Sequence, residues 1–468
     1  MLLPITLCSA FIYALPHPEQ VHVNLGVANS LVVTFVTVGT NDTLDSFVAI
    51  HSTQKGTPTV VKAVTSTYTA GDWTGLIHRA SLGSLTLGST YTYRCGVGST
   101  GAKQHWTEWF EVDWFAKDFA GGRPVVLAMV ADLDGRDADG VSTIAALAAA
   151  TRAGTIDAVL HAGDIAYVKG ADKESIYDEF FRTPRERSNP SACDQHTNPS
   201  ELHLHACCTL PCSCAKKQDG TRLVSTVPSM QIHARLASPR FTDRHAGQLE
   251  PVASRIPYHV AVGNQEHWND FAGYNNRFAM PGQASRTMRN FWHSVDFGPV
   301  HALFLSTEHP FDAGSLQHTF AAADLAAVSR ATTPWVVVVL HRPLYCSTND
   351  YYDCHMAGPQ HLRPALEGLF VAYGVDAVVA GHVHNYERTA PVINGSILRG
   401  SAPVHVTVGN AGDIEGPTRG WSSTRPSWSV ARSLEVGWGR WTASRTMLRL
   451  EMLSSANGAT LDMVELTK

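Results

Sequence analysis

Five short apolar runs in this chain each lead into residue types that bind metal ions. The runs cover 124–131, 156–160, 257–262, 335–340 and 375–380, and the polar residues after them are Asp132, Asp164, Asn264, His341, and the pair His382 and His384. Ligands of open α/β sheets bind beyond the carboxyl ends of the strands, so the five ends predict one crevice. Carboxylate, imidazole and amide donors suit metals of the Zn, Fe or Mn type. The set is too large for one tetrahedral ion and lacks thiolate, which predicts two ions that share a bridging carboxylate.

Local features refine this metal centre. Tyr167 lies three residues after Asp164, and a phenolate ligand there would favour trivalent iron. Glycines at 163, 263 and 381 are expected to let the backbone turn sharply beside the metals. Alternate residues of an extended segment face the same side, so His382 and His384 are both expected to reach a pair of ions.

The elements that position these residues change character after Gly121-Gly122. The first part of the chain is all-β, with strands expected over Leu31–Val38, Thr90–Arg94 and Trp106–Val112. Their spacing predicts a β-sandwich, and because no catalytic residue types cluster there we interpret it as an accessory domain.

The second part alternates apolar strands with helical patterns, which predicts a layered α/β domain. Helices are expected over Ser142–Arg152, Phe320–Arg330 and Pro359–Tyr373, and a closing hairpin over Thr446–Leu466, turned at Asn457-Gly458. We therefore divide the chain into a signal peptide at 1–14, a sandwich at 17–118 and a catalytic domain at 122–468, with a Cys- and His-rich insertion at about 183–245.

Composition narrows the class of protein and its compartment. The chain has 468 residues, a net charge of −5 with histidines neutral, and 16% charged residues, which does not favour a nucleic-acid partner. If its 23 histidines titrate normally, the net charge becomes positive at mildly acidic pH. Besides the N-terminus, no apolar run approaches the ~18 residues of a membrane span. Nine cysteines and sequons at Asn41 and Asn394 favour a secreted, extracellular or vacuolar-lysosomal glycoprotein.

The strand-end segments resemble the five motifs of the purple acid phosphatases. They read Asp132, Gly163-Asp164-x-x-Tyr167, Gly263-Asn264-x-Glu266, Val339-Leu340-His341-Arg342-Pro343 and Gly381-His382-Val383-His384. The likeness runs over nearly the whole chain. It implies an N-terminal fibronectin-type-III-like β-sandwich, followed by an α/β metallophosphoesterase domain with two β-sheets flanked by helices.

The resemblance also implies a chemistry for each residue. Fe(III) would be held by Asp132, Asp164, Tyr167 and His384, with Asp164 bridging, and a divalent Zn, Fe or Mn by Asn264, His341 and His382. The implied reaction is hydrolysis of small-molecule phosphate monoesters by a metal-bound hydroxide. His355, between the fourth and fifth motifs, is the candidate that protonates the leaving group. Family members are often homodimers, so the resemblance implies a homodimer as a possible assembly.

Two positions depart from the family pattern. Gln265 stands where the family has a histidine that contacts the substrate phosphate, and losing such a charged contact could lower the rate by about 10²–10³. His267 is a candidate to compensate. Asp134 replaces a glycine of the first motif, and it would either bias the choice of metal or face solvent.

Three functions therefore remain open. The leading one is an acid phosphatase acting on monoesters; the second is a phosphodiesterase or nucleotide hydrolase on the same site. The third is a metal-binding protein of weak activity, motivated by Gln265. Cys346 and Cys354 are expected to pair across the loop that carries Asp353 and His355. In the insertion, disulfides are favoured over an extra zinc site.

Overall fold

The computed structural model describes residues 16–26, 30–39, 45–52, 57–83, 85–86, 88–98, 104–114, 122–182, 248–281, 290–349, 354, 359–400 and 402–468. The predicted signal peptide, Asn41, the insertion at 183–245, Asp353 and His355 lie outside these ranges. Within the described ranges, no helix is long and apolar enough to cross a membrane.

The N-terminal strands form the expected β-sandwich. One sheet has the order β1-β2-β6-β5 and the other β4-β3-β7-β8, with β9 also paired to β7. Inward side chains such as Phe35 and Tyr93 are fully buried between them. The strands are β1 (Glu19–Leu25), β2 (Leu31–Val38), β3 (Ser46–His51), β4 (Thr59–Lys62), β5 (Val64–Ser66), β6 (Gly75–Leu82), β7 (Ser89–Gly98), β8 (Gln104–Trp106) and β9 (Phe110–Trp114).

One predicted strand is wrong in its middle. The run Trp106–Val112 is interrupted, because β8 ends at Trp106 and β9 begins at Phe110. Thr107 explains the break: its Oγ1 accepts the backbone N–H of Cys95 at 3.0 Å, while its own N–H donates to the Cys95 carbonyl at 2.8 Å. A side chain that bonds the backbone in this way competes with the regular ladder.

Two mixed sheets, with a separate two-stranded sheet of β18 and β19, make up the described part of the catalytic domain. The first has the order β12-β11-β10-β22-β23-β24, and the second β13-β14-β15-β16-β20-β17-β21. Within them β10, β11 and β12 run parallel to one another, as do β14, β15, β16 and β20. The strands are β10 (Val125–Val130), β11 (Ala158–Ala162), β12 (Tyr258–Ala261), β13 (His293–Phe297), β14 (Val300–Phe304), β15 (Trp335–Val339), β16 (Ala377–Ala380), β17 (Tyr386–Thr389), β18 (Val392–Ile393), β19 (Ser396–Ile397), β20 (Val404–Val408), β21 (Ser429–Ser433), β22 (Gly437–Ala443), β23 (Met447–Ser454) and β24 (Thr460–Thr467).

The central strands are buried on both faces, as their continuous apolar runs require. In β10, Leu127 and Met129 join the core shared by the two sheets, whereas Ala128 and Val130 face the core that contains helix residues. The domain is therefore layered, with the sheets inside and helices outside. The helices are α1 (Ala138–Arg152), α2 (Ile176–Phe181), α3 (Glu250–Ala253), α4 (Trp268–Arg277), α5 (Leu316–Ala327) and α6 (Pro359–Ala372).

Two helices begin about one turn earlier than their apolar patterns predict, because capping residues set their starts. Asp137 accepts the backbone N–H of Gly140 at 2.7 Å, and Ser315 accepts that of His318 at 3.1 Å. An N-cap side chain satisfies a backbone donor that the first helical turn leaves unpaired. Helix α5 ends at Ala327 because the backbone of Val328 is extended.

A buried arginine joins the sandwich to the catalytic domain. Arg277, at the end of α4, donates to Asp178 at 2.8 Å, to Gln20 of the sandwich at 3.0 Å and to the Tyr68 hydroxyl at 2.9 Å. The Trp73 indole of the sandwich also donates to Asp178, at 3.1 Å. The sandwich is thus fastened to helices α2 and α4, which follow the second and third motifs, a structural role that the accessory-domain interpretation did not foresee.

Candidate metal centre

The predicted metal ligands come together at one edge, but they come from two sheets. Asp132, Asp164 and Asn264 follow β10, β11 and β12 of the first sheet. His341 and the His382–His384 segment follow β15 and β16 of the second sheet. Because the carboxyl ends of both sets of parallel strands face the same crevice, residues more than 200 positions apart become neighbours.

The first group of donor atoms consists of Asp132, Tyr167 and His384. The Tyr167 hydroxyl lies 3.0 Å from Asp132 Oδ1 and 2.9 Å from His384 Nε2, and the Asp132 and His384 atoms are 3.6 Å apart. Ligand atoms held at about 2.0–2.2 Å from an ion in perpendicular directions lie about 3 Å apart. The spacing of these three atoms therefore fits a single metal ion.

The second group consists of Asp164, His341, Asn264 and His382. His341 Nε2 lies 3.2 Å from Asp164 Oδ2 and 3.0 Å from Asn264 Oδ1. One ligand atom each of Asp164, His341 and His382 fall within 4.8 Å of one another. This oxygen and nitrogen set fits a second cation beside the first.

The segment Gly381–His384 corrects one expectation. It is a tight turn, not an extended strand: His382 has a φ of 67°, and the N–H of Val383 bonds the carbonyl of Gly381 at 2.8 Å. His382 consequently belongs to the group around His341, whereas His384 belongs to the group around Tyr167. The turn distributes the two imidazoles between the donor groups.

Several of the predicted ligands adopt a strained backbone. Asp132, Asp164, Tyr167 and His382 have φ values of 56°, 55°, 46° and 67°, in the left-handed region that side chains disfavour. Such a conformation costs on the order of 1–3 kcal/mol per residue and persists only where the surrounding structure enforces it. Four predicted ligands thus share a costly conformation, which also occurs elsewhere in the described chain, as at 269–271.

The motif glycines act mainly by leaving space, which corrects the sharp-turn interpretation for two of them. Gly163 does have a positive φ of 86°. Gly263 has an ordinary φ of −115°, but a Cβ there would lie 2.3 Å from Asp164 Oδ1. A Cβ on Gly381 would lie 2.4 Å from Asp132 Oδ2. Any side chain at these positions would displace a ligand carboxylate.

Glu266 of the third motif holds the loops in place. Its carboxylate accepts the backbone N–H groups of Gly263 at 2.7 Å, Asp164 at 3.0 Å and Ile165 at 2.7 Å. Burial and the nearby charge of Asp164 raise the pKa of Glu266 to about 8. Glu266 is thus a buried clamp between the second and third motifs, a role that the sequence interpretation did not assign.

The imidazoles are oriented by their second nitrogens. His341 Nδ1 lies 2.9 Å from the Ala162 carbonyl, and His384 Nδ1 lies 2.9 Å from the Gly416 carbonyl and 3.1 Å from Asp413 Oδ2. A proton on Nδ1 leaves Nε2 of each ring as the donor atom towards the centre. Both rings are therefore set in the tautomer that suits a metal ligand.

The electrostatics of the site favour a bound cation. Burial by itself would lower the pKa of His384, but the hydrogen bond and charge of Asp132, with the charge of Asp413, raise the pKa to about 10. Burial would also lower the pKa of His341, but the charge and hydrogen bond of Asp164 raise it to about 9. Burial and the surrounding carboxylates hold the pKa of the Tyr167 phenol well above its usual range. The carboxylates attract positive charge to both donor groups.

The two departures from the family pattern have distinct outcomes. Asp134 neither reaches the metal centre nor faces solvent: it is 1% exposed and pairs with Arg136 at 2.6 Å, which also donates to the Tyr167 carbonyl at 2.8 Å. Gln265 is anchored by its backbone N–H, 2.7 Å from Asp164 Oδ1, and its side-chain amide donates to Glu415 at 3.4 Å. His267 is exposed, and its Nδ1 contacts the Asn264 carbonyl.

Sequence interpretation missed further polar residues at the site. Asp413 and Glu415 follow β20, a strand parallel to β16, and with His384 they form another group of closely spaced donor atoms. Glu308 follows β14 and pairs with Arg342 of the fourth motif at 2.8 Å. A weaker signal was present, because 404–408 reads Val-His-Val-Thr-Val, a β-branched strand pattern that leads into Gly409–Asp413.

Of the remaining site predictions, the structure describes the cysteine pair and one sequon. Cys346 and Cys354 are joined by a disulfide, with their Cα atoms 5.1 Å apart. Asn394 is exposed in the turn between β18 and β19. His355 and Asn41 lie outside the described residues, so their proposed roles stay predictions.

Two β-sheets that carry adjoining carboxylate, imidazole and amide donor groups at their strand ends define a binuclear metallophosphoesterase. Three family models match this chain: "Purple acid Phosphatase, N-terminal domain" over residues 18–113, "Calcineurin-like phosphoesterase" over 235–386 and "Iron/zinc purple acid phosphatase-like protein C" over 402–463. The human protein "Acid phosphatase type 7" is 30% identical over 78% of this chain and 70% of its own length. The chain belongs to the purple acid phosphatase family.

Two further comparisons bear on fold and activity. A purple acid phosphatase from yellow lupin seeds has a TM-score of 0.75 at 20% identity, covering 97% of this chain and 74% of its own. This likeness confirms the predicted fold class. "Probable inactive purple acid phosphatase 27" of Arabidopsis thaliana is 35% identical over 47% of this chain and 39% of its own length. Family membership therefore establishes the scaffold and the phosphoesterase class, not the rate.

Proposed function

We propose that this protein is an acid phosphatase that hydrolyses phosphate monoesters at a centre of one Fe(III) and one divalent Zn, Fe or Mn ion. The observation that carries the proposal is the pair of adjoining donor groups, with the Tyr167 hydroxyl within 3.0 Å of both Asp132 and His384. A phenolate oxygen is a hard, charged donor, which favours the trivalent ion in that group.

The ligand assignment follows from the two groups. Asp132, Tyr167 and His384 would hold Fe(III), Asn264, His341 and His382 would hold the divalent ion, and Asp164 would be shared. When bound, two such cations supply a nucleophile by lowering the pKa of water, and they neutralise charge on the phosphoryl oxygens.

The residues of the chain position this chemistry. Asp132 Oδ2 accepts the backbone N–H of His382 at 2.8 Å, which ties the first motif to the fifth. The carbonyls of Ala162 and Gly416 keep Nε2 of His341 and His384 directed inward. His355 remains the proposed donor of a proton to the leaving group.

Purified protein with its native metals tests the proposal. We expect hydrolysis of an aryl phosphate monoester at mildly acidic pH, together with a visible absorption from iron–tyrosinate charge transfer. Tyr167→Phe should remove the absorption. Tyr274→Phe, which removes a buried hydroxyl that bonds the carbonyls of Val260 and Asn290, should keep it. A visible band that survives in Tyr167→Phe would refute the iron assignment, and a preference for an aryl diester would favour a phosphodiesterase.

A second candidate is a metal-binding protein of weak activity. The observation in its favour is Gln265, whose neutral amide contacts Glu415 where the family pattern has a histidine. The relative from Arabidopsis thaliana with "inactive" in its name gives this candidate further support. Bound iron with negligible turnover, restored by Gln265→His, would favour it; an active wild-type protein would exclude it.

Secretion and glycosylation form a separate part of the proposal. The exposed Asn394 sequon and the Cys346–Cys354 disulfide support an oxidising compartment. Expression in a eukaryotic host should give secreted protein whose mass falls on enzymatic removal of N-glycans. Intracellular retention of unmodified protein would contradict this part alone.

A further inference from the structure

Three side chains from separate loops meet at the mouth of the metal centre. Lys169 follows the second motif, Gln265 lies in the third and Glu415 follows β20. The Lys169 ammonium lies 2.7 Å from Glu415 Oε1, and the Gln265 amide donates to the same oxygen at 3.4 Å. The second oxygen, Glu415 Oε2, lies 4.0 Å from His384 Nε2. We call Lys169, Gln265 and Glu415 the rim triad.

The rim triad places a cation beside a donor atom of the centre. The side chains of Lys169 and Glu415 are 42% and 39% exposed, so both are accessible to substrate. Two other cations described near the centre pair with more buried carboxylates: Arg136 with Asp134 at 2.6 Å, and Arg342 with Glu308 at 2.8 Å. Arg342 also lies 2.8 Å from His382 Nε2, on the inner side of the centre. The ammonium of Lys169 is instead held at the opening.

Gln265 lacks the charge that phosphate recognition calls for. A phosphate monoester carries nearly two negative charges near neutral pH, and charge-assisted hydrogen bonds are roughly twice as strong as neutral ones. The Gln265 amide can donate to a phosphate oxygen but cannot neutralise it. A lysine ammonium is a mobile point charge that binds phosphate without a fixed fork geometry.

We propose that Lys169 is a substrate-binding residue that supplies the positive charge absent from position 265, with Glu415 holding its ammonium beside the metal centre until phosphate arrives. Gln265 adds a neutral donor to the same phosphate. The inference rests on the proposed phosphatase function and extends it to substrate class. It favours monoesters, whose second ionisation near pH 6 adds to their charge, over monoanionic diesters, because the ammonium interacts more strongly with the greater charge.

The rim triad allows a clean test, since an exposed ion pair contributes little to stability. Lys169→Met keeps the aliphatic stem and removes the charge, and Lys169→Arg restores a charge. Lys173→Met is the matched control, because Lys173 lies on the same loop and pairs only with the exposed Asp172, at 3.4 Å, among the described residues. All variants are compared as metal-loaded protein, with metal content measured for each.

We expect Lys169→Met to raise KM for an aryl monoester about tenfold or more, with kcat changed less than about threefold. The dissociation constant for inorganic phosphate should rise by a similar factor, with metal content unchanged. Lys169→Arg should recover most of both effects, and Lys173→Met should match wild type. KM in Lys169→Met should also become less sensitive to ionic strength.

Glu415→Gln is expected to have the opposite effect. Removing the carboxylate charge leaves the Lys169 ammonium unneutralised, which should lower KM. The inference is overturned if Lys169→Met leaves KM and phosphate affinity at the values of Lys173→Met. It is also overturned if the variant loses metal, because Lys169 would then act on the centre itself. An inactive wild-type protein would refute the proposed function first, and phosphate binding would still report separately on Lys169.

Discussion

Arg277 Nη1 lies 2.8 Å from Asp178 Oδ1, and the two side chains are only 2% and 5% exposed between the β-sandwich and the catalytic domain. The pair also connects the helices that follow the second and third motifs, since Asp178 lies in α2 and Arg277 ends α4. Tyr68 extends the connection by donating to Glu174 at 3.1 Å. The sandwich therefore braces the segments that follow two of the metal-centre motifs.

The first prediction concerns this buried pair. Arg277→Met leaves Asp178 without its cation, and breaking a buried pair typically costs about 3–5 kcal/mol. Thermal unfolding should shift down by several degrees. Arg449→Met is the control, because Arg449 makes an exposed bridge with Glu465 and its loss should leave the unfolding temperature nearly unchanged. Equal shifts in the two variants would contradict the bracing role.

Two glycine-to-alanine substitutions distinguish crowding at the metal centre from the general effect of alanine in a helix. Gly381→Ala would place a Cβ 2.4 Å from Asp132 Oδ2, so we expect a protein with reduced metal content. Gly368→Ala, on helix α6, meets no heavy atom within 4 Å and should stabilise the fold by about 0.5–1 kcal/mol. Elemental analysis and calorimetry measure the two effects. Full metal content in Gly381→Ala would show that the first motif can move.

Asp413 is predicted to tune the His384 ligand. Its Oδ2 lies 3.1 Å from His384 Nδ1, and carboxylates behind metal-bound histidines typically contribute 10–100-fold to metal affinity. Asp413→Asn should therefore lose metal to a chelator at concentrations about ten times lower than wild type. Asp139→Asn is the matched change, because Asp139 is exposed and lines a small cavity together with His384 and Asp413. Identical chelator curves for the two variants would refute the role.

Buried neutral histidines predict that acid destabilises the protein. Burial lowers the pKa of His259 and of His405 to about 3, and it lowers the pKa of His293 well below its usual value. The unfolded chain takes up these protons near pH 6.5 whereas the folded chain does not. Stability is therefore complete above about pH 6.5 and falls as the pH drops towards the folded pKa values.

His293 is the residue to test, because its ring stacks on Phe304 at 4.4 Å and neither of its nitrogens has a hydrogen-bond partner among the described residues. At pH 5 each such group costs up to about 2 kcal/mol. His293→Phe should flatten the fall in urea-unfolding free energy between pH 7 and 5, and His361→Gln, at an exposed position on α6, should not. Parallel slopes for both would contradict the assignment.

These three histidines and three others correct the charge expected from composition. His22, His78, His161, His259, His293 and His405 all have lowered pKa values because they are buried. The chain therefore gains less positive charge at mildly acidic pH than 23 normally titrating histidines would give. Composition gives the number of histidines, whereas packing determines which of them are exposed to water.

The sequence alone determined the strand ends and the ligand types. Apolar runs that stop at Asp132, Asp164, Asn264 and His341 follow from local chemistry, because a strand ends where side chains no longer match its buried faces. The fold class, the closing hairpin and the order of the motifs could be predicted for the same reason. The helix starts were missed by about one turn, since Asp137 and Ser315 cap outside the apolar pattern.

Only the tertiary structure decided how those residues combine. It divided His382 and His384 between two donor groups through a left-handed turn, and it paired Asp134 with Arg136 away from the metal centre. It also brought Gln20 within 3.0 Å of Arg277, across 257 positions of sequence. Spacing along the chain encodes local geometry, whereas distances between loops depend on how two sheets and a sandwich pack, which no local pattern contains.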